Sequence, residues 1–205
     1  MGCRLLHAAL IGSFLLASPA VFADSAGAVV GQPAPAFTVT DTQGVPRTLS
    51  AFKGKFVVLE WFNPDCPFSR KHYDSQNMQQ LQRVAAQRGV IWLSIDSSAP
   101  GKQGHLTPET ANTFVTQRGA APTAVLLDPD GAIGRRYGAK ATPHMFVINP
   151  EGVLIYAGAI DDVPSADPAD VARATNYVQR ALDEAMAGQA VSTPETNAYG
   201  CSVKY

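Results

Sequence analysis

Phe56 to Phe62 reads FVVLEWF, a continuous apolar run broken by one acid, Glu60. A strand with one wet face alternates apolar and polar residues, so an unbroken run of this kind marks a strand covered on both faces. Val90 to Asp96, VIWLSID, repeats the pattern. Between the two runs Met78, Leu81, Val84 and Ala85 recur at helical spacing up to Arg88. Strand, helix, strand with both strands buried points to an α/β fold with one central sheet.

The rest of the chain extends that pattern. Phe37–Thr40 reads as a short edge strand closed by a turn at Asp41 to Gly44. Thr107 and Pro108 open a helix, as cap and first helical residue, and Gly119 ends it. Ala124–Leu127 is a short strand and Ile133–Tyr137 a short helix. His144–Ile148 and Leu154–Ala157 are strands joined by the turn Asn149-Pro150-Glu151-Gly152. Asp167 and Pro168 are predicted to cap the last helix, whose apolar stripe is Val171, Ala174, Val178, Ala181, Leu182 and Ala185. Gly188 stops it, and a polar tail follows from Gln189 to Tyr205. No GxGxxG or phosphate-binding glycine loop follows a strand, which argues against a nucleotide site.

Sixteen Lys and Arg against 17 Asp and Glu leave no bulk charge with which to hold nucleic acid. At the N-terminus, Arg4 precedes the apolar run Ala8 to Ala17, and Val21-Phe22-Ala23 offers small or aliphatic residues to a signal peptidase. Residues 1–23 are therefore expected to be a signal peptide; the run is too short to span a bilayer, and no membrane insertion is expected after cleavage. The predicted organisation is a signal peptide at 1–23, one domain at 24–188 and a C-terminal tail at 189–205. Of the three Cys, Cys3 leaves with the signal peptide, and Cys66 and Cys201 stay in a periplasmic or secreted, oxidising setting.

Cys66 carries the chemistry. It stands between a buried strand and a helix that Pro67 can begin, so it is predicted to be the helix N-cap. Unpaired N–H groups and the positive end of the helix favour a thiolate there. Arg70 and Lys71 are expected to add to this and Asp65 to oppose it. Glu60, flanked by Leu59 and Trp61, is expected to be buried and poorly paired, with a raised pKa and a part in proton transfer. His72 reads as a surface or packing residue, and His144 as a neighbour of Cys66. Trp61 reads as core; Phe68 is open between packing and an apolar rim for a substrate chain.

The strand, the loop, Cys66-Pro67-Phe68-Ser69, and later Thr142-Pro143-His144 entering a hairpin resemble the thioredoxin fold. NPDCPFSRKHY (63–73), YGAKATPHMFVI (137–148) and the ending YGCSVKY resemble the peroxiredoxin-like, or redoxin, branch of the alkyl hydroperoxide reductase/thiol-specific antioxidant superfamily. The resemblance implies a central mixed sheet flanked by helices. It aligns Cys66 with the nucleophilic Cys, Ser69 with the second Cys of CxxC, Pro143 with the cis-proline that helps align a bound chain, and Glu60 with the buried carboxylate beneath the sulfur.

Two departures follow. Peroxiredoxins carry Pro-x-x-x-Thr/Ser-x-x-Cys, and here those positions hold Leu59 and Asn63. Ser69 removes the local resolving thiol, leaving Cys201, which reaches Cys66 if the tail folds back. What is implied is an exported thiol-disulfide oxidoreductase. Cys66 is its nucleophile, Cys201 resolves and pairs with it, Glu60 relays a proton, and Thr142, Pro143, Pro67 and Phe68 line a substrate groove. The partners implied are a thiol or disulfide substrate and an electron donor; no organic cofactor or metal is implied. Thiol peroxidase, and a binding domain or metallochaperone in which the Cys66–Cys201 bond is a static staple, remain the alternatives.

Overall fold

A computed structural model describes residues 1–2 and 27–205. The expected signal peptide falls almost wholly on residues 3–26, outside the described residues. Among the described residues no helix is long and apolar enough to cross a membrane.

The central sheet has five strands in the order β5–β4–β3–β7–β8. They are β3 (Val57–Trp61), β4 (Ile91–Asp96), β5 (Ala124–Leu127), β7 (His144–Ile148) and β8 (Leu154–Gly158). β3, β4 and β5 run parallel, and β7 is antiparallel to both β3 and β8, so the sheet is mixed. β3 lies at its centre, as its unbroken apolar run requires. Val58 and Phe62 face one layer, with Met78, Leu81, Val178 and Leu182 from the helices. Leu59 and Trp61 face the other, with Ile133, Tyr137 and Phe146.

β1 (Thr38–Thr40) pairs with β2 (Pro46–Thr48) in a ribbon of its own, tied to the sheet by a bridge from Asp41 to Leu126. α3 (Pro108–Arg118) begins at a reciprocal cap, in which the Thr107 and Thr110 hydroxyls each accept from the other's backbone N–H. α4 (Ala132–Tyr137) follows β5.

Two helices differ from the sequence expectation. The helix begun at Pro67 divides into α1 (Pro67–Asp74) and α2 (Asn77–Gln87), with Gln76 in the left-handed region at φ 63°. Carbonyls freed at the break are taken by side chains: Ser75 Oγ donates to the His72 carbonyl and Gln79 Nε2 to that of Tyr73, the same amide also donating to the Arg118 carbonyl at the end of α3. The stretch after Asp167 divides as well. Asp167 caps only a short 3-10 turn, Pro168–Arg173, and α5 (Tyr177–Met186) starts at a second cap, Asn176. Val171 and Ala174 therefore do not belong to the buried stripe. The division is fixed by backbone bonds between residues 160–162 and 175–177, including Tyr177 N–H to the Ile160 carbonyl.

The C-terminal segment is built into the fold. Residues 194–196 run beside β8, bonded to both sides of Ala157. β9 (Cys201–Ser202) then pairs antiparallel with β6 (Ala141–Thr142).

Candidate active site

β3 delivers the chain to the end of the sheet, where Phe62 N–H still bonds the Ile95 carbonyl. The turn beyond it is pinned from both sides. Asn63 Oδ1 accepts from Asp65 N–H at 2.8 Å, and its amide donates to the Gln103 carbonyl at 3.1 Å. Asp65 Oδ2 accepts from Gly104 N–H at 3.1 Å. Cys66 emerges as the N-cap of α1, in extended backbone with Pro67 as the first helical residue. Its side chain makes no hydrogen bond to the helix end. Any preference for the reduced thiolate therefore comes from the field of the free N–H groups.

Cys66 is fully buried and disulfide-bonded to Cys201, with Cα atoms 6.0 Å apart. Cys201 is brought there by β9, in register opposite Thr142. The Cys66 Sγ lies 3.1 Å from the Thr142 carbonyl oxygen, and the Thr142–Pro143 peptide is cis. Thr142 and Pro143 therefore flank the sulfur pair, as does Phe68, half-buried in α1, whose ring meets Tyr199 edge-on at 6.0 Å. Pro67 is exposed at the helix start.

The expected charge balance around the sulfur is corrected. Arg70 faces solvent beside Asp74, at 3.8 Å. Lys71 is buried, but its ammonium is committed to Asp161 Oδ2 at 3.3 Å and to the Val163 carbonyl at 2.8 Å. Neither cation is aimed at the thiol.

Glu60 is fully buried, as expected, but it is not poorly paired. Tyr73 donates to Oε1 at 2.7 Å; Trp92 Nε1 (2.8 Å), the Ser94 hydroxyl (2.7 Å) and Gln82 Nε2 (3.3 Å) donate to Oε2. Burial raises its pKa, and these four donors offset only part of that. None of its hydrogen bonds reaches Cys66.

The histidines depart from expectation in opposite ways. His144 does not face the sulfur pair. Its ring lies against Phe146 at 4.4 Å, its Nδ1 accepts from Lys140 N–H, and burial lowers its pKa to about 4. His72 is fully buried beside Asp161 and Tyr199, its pKa also lowered to about 4 by burial. The Lys71, His72, Asp161 and Tyr199 group was missed as a unit. The positions of Lys71 and His72 within one turn of each other in α1 were visible. Their partners lie 90 and more residues away, in segments without periodic pattern.

A mixed five-stranded sheet, a Cys at the N-terminus of the helix after the central strand, and a cis-proline opposite it define a thioredoxin-like protein. The match of residues 30–157 to the AhpC/TSA family model narrows this further: the chain belongs to the AhpC/TSA family. Among characterised proteins it is 29% identical to thiol-disulfide oxidoreductase ResA of Bacillus thuringiensis over 126 residues, covering 62% of this chain and 67% of that one. Among solved structures, a hypothetical protein from Sinorhizobium meliloti superposes with a TM-score of 0.72 at 23% identity, over 86% of this chain and 94% of that one. A Chlorobium tepidum protein described as thiol:disulfide interchange protein DsbE gives 0.53 at 25% identity, over 64% and 85%.

Proposed function

We propose that this chain is an exported thiol-disulfide oxidoreductase in which Cys66 and Cys201 form the redox pair. The observation that carries the reading is the pairing itself: a Cys at a helix N-terminus, beside a cis-proline, bonded to a Cys on a separate C-terminal strand. Two similar proteins bear names of this activity, ResA and DsbE.

In the reduced chain the Cys66 thiolate attacks a substrate disulfide, forming a mixed disulfide and releasing one substrate thiolate. The Cys201 thiolate then attacks Cys66 Sγ, releasing the second substrate thiolate and leaving the Cys66–Cys201 bond. The substrate gains two electrons, and a dithiol donor returns the pair to the reduced form. Thr142, Pro143, Pro67 and Phe68 line the groove for the substrate chain while the tail is lifted from Thr142, and the tail takes that edge again in the resolving step. Glu60 supplies or takes up a proton by way of solvent admitted when the Cys66–Cys201 bond opens, since its hydrogen-bond partners do not contact the sulfurs. The chain acts in the periplasm or outside the cell, on thiol or disulfide partners rather than nucleic acid.

A glutathione titration with peptide mapping tests this. A potential well above the ~−300 mV of structural disulfides is expected, with exchange activity lost in Cys66→Ser. A bond that resists reduction below that value makes it a staple. The family name favours a second reading, peroxidase, but Leu59 and Asn63 lack the hydroxyl and the proline with which peroxiredoxins frame the peroxide. Hydrogen peroxide consumption is expected to be slow; fast turnover lost in Cys66→Ser would establish the peroxidase instead.

A further inference from the structure

Lys71, His72 and Asp161 are buried, with side-chain exposures of 0%, 0% and 2%. Charged groups placed this deep cost stability unless every partner is in place, and apolar residues of similar size would often serve a core better. Their arrangement is complementary to one hydroxyl. Asn77 Nδ2 donates to His72 Nδ1, which leaves Nε2 as the protonated ring nitrogen, 3.4 Å from the Tyr199 oxygen. Lys71 Nζ lies 3.5 Å from the same oxygen, and the Tyr199 hydroxyl donates to Asp161 Oδ1. The ammonium also sits 5.6 Å from the Tyr199 ring centre, and Phe68 packs against the ring edge.

Tyr199 is two residues from Cys201, and Lys71 is five residues from Cys66. Five residues of helix rise roughly 7.5 Å, and two residues of extended chain span roughly 6.7 Å. The two attachment points on α1 and the two on the tail are therefore matched in spacing. Between them Gly200 has φ 127°, and a Cβ there would collide with the Thr142 carbonyl oxygen. A side chain at residue 200 would push the tail off the strand that aligns Cys201.

We propose that Lys71, His72 and Asp161 are positioning residues: a socket for the Tyr199 phenol that sets the register of Gly200-Cys201 on Thr142 and so presents Cys201 to Cys66 in the resolving step. This rests on the reading of Cys66 as nucleophile and Cys201 as resolving thiol. In chemical terms, the socket and the Thr142 edge recognise an extended segment of the pattern Tyr-Gly-Cys, and the chain supplies it from its own tail.

The test is stopped-flow reaction of the reduced full chain with one equivalent of DTNB. Attack by Cys66 releases one thionitrobenzoate and leaves the other on Cys66; attack by Cys201 then releases the second in a concentration-independent phase. Tyr199→Phe keeps the ring and removes the hydroxyl, and is expected to slow the second phase relative to the first by about tenfold, as loss of a hydrogen bond to charged partners implies. Gly200→Ala is expected to do the same. Tyr205→Phe removes another tail hydroxyl, which bonds the Ala139 carbonyl at 2.6 Å away from the socket, and is expected to change the ratio less than twofold. A ratio within twofold of the unaltered chain in both Tyr199→Phe and Gly200→Ala overturns the proposal. So does an equal slowing by Tyr205→Phe, which would make any tail contact equivalent. If the unaltered chain releases only one thionitrobenzoate and forms no 66–201 linkage, the reading beneath the proposal fails with it.

Discussion

Glu60 holds its proton to a higher pH in the folded chain than in the unfolded one, because burial disfavours the charge more than four donors favour it. The sign follows directly. The stability it contributes is fully present below the ordinary value of 4.5 and is lost as pH rises toward the raised folded value. Glu60→Gln, which mimics the protonated form, is expected to flatten this part of the profile; urea midpoints at successive pH values measure it, and an unchanged slope would show that Glu60 is ionised in place. That Glu60 is buried was legible, because an acid inside an unbroken apolar strand has nowhere else to go. That it is saturated with donors was not. Tyr73, Gln82, Trp92 and Ser94 come from three other elements, and no local pattern links them. At the sulfur, the helix N-cap was legible from Pro67 alone. The direction of the Lys71 side chain was not, since Asp161 lies 90 residues further on.

Among the elements, the break between α1 and α2 turns on one residue. Gln76 is exposed and adopts φ 63°, where a side chain costs energy and glycine does not. Gln76→Gly is expected to raise stability by up to ~1 kcal/mol, read as a higher urea midpoint at constant slope. A fall instead would mean that the glycine's freedom in the unfolded chain outweighs the strain relieved. The sequence concealed this break because Met78, Leu81, Val84 and Ala85 are in phase with a helix begun at either end. It concealed the break before Asn176 for a similar reason: alanines at 174 and 181 and valines at 171 and 178 mimic a stripe whichever side of the break they fall on. The strands were easier, since both faces of β3 and β4 are covered and leave long apolar runs.

At the scale of the molecule, acid is the expected weakness. His72 and His144 both titrate near 4 in the folded chain against 6.5 when unfolded. The stability these two rings contribute is therefore complete above 6.5 and is lost as pH falls through that value toward 4; together they add close to two protons to the uptake on unfolding, or ~2.7 kcal/mol per pH unit, with Glu60 working in the opposite sense. Thermal unfolding at pH 7 and pH 5 under oxidising conditions checks this; equal midpoints would mean that the two rings are more hydrated than their burial implies. The tail read as polar, with Cys201 expected to reach Cys66 if it folded back; what the sequence did not show is that it supplies β9 and a flank for β8. Polar composition misled because its packing is carried by Tyr199, Tyr205 and backbone pairing rather than by an apolar stripe.

The bond between Cys66 and Cys201 also divides the chain mechanically. It closes a ring across a separation of 135 residues that contains β4 through β8 and, among the described residues, every α-helix, while β1 to β3 lie on the segment leading into it. A pull applied at the two ends of the oxidised chain passes down β3, across the two sulfurs and out through the last residues, and the backbone of the ring is not in its covalent path. Once the bond is reduced, the same pull can draw out roughly 450 Å more chain, at ~3.4 Å per residue. The central strand is thus the part that bears load in one redox state, and the whole fold in the other.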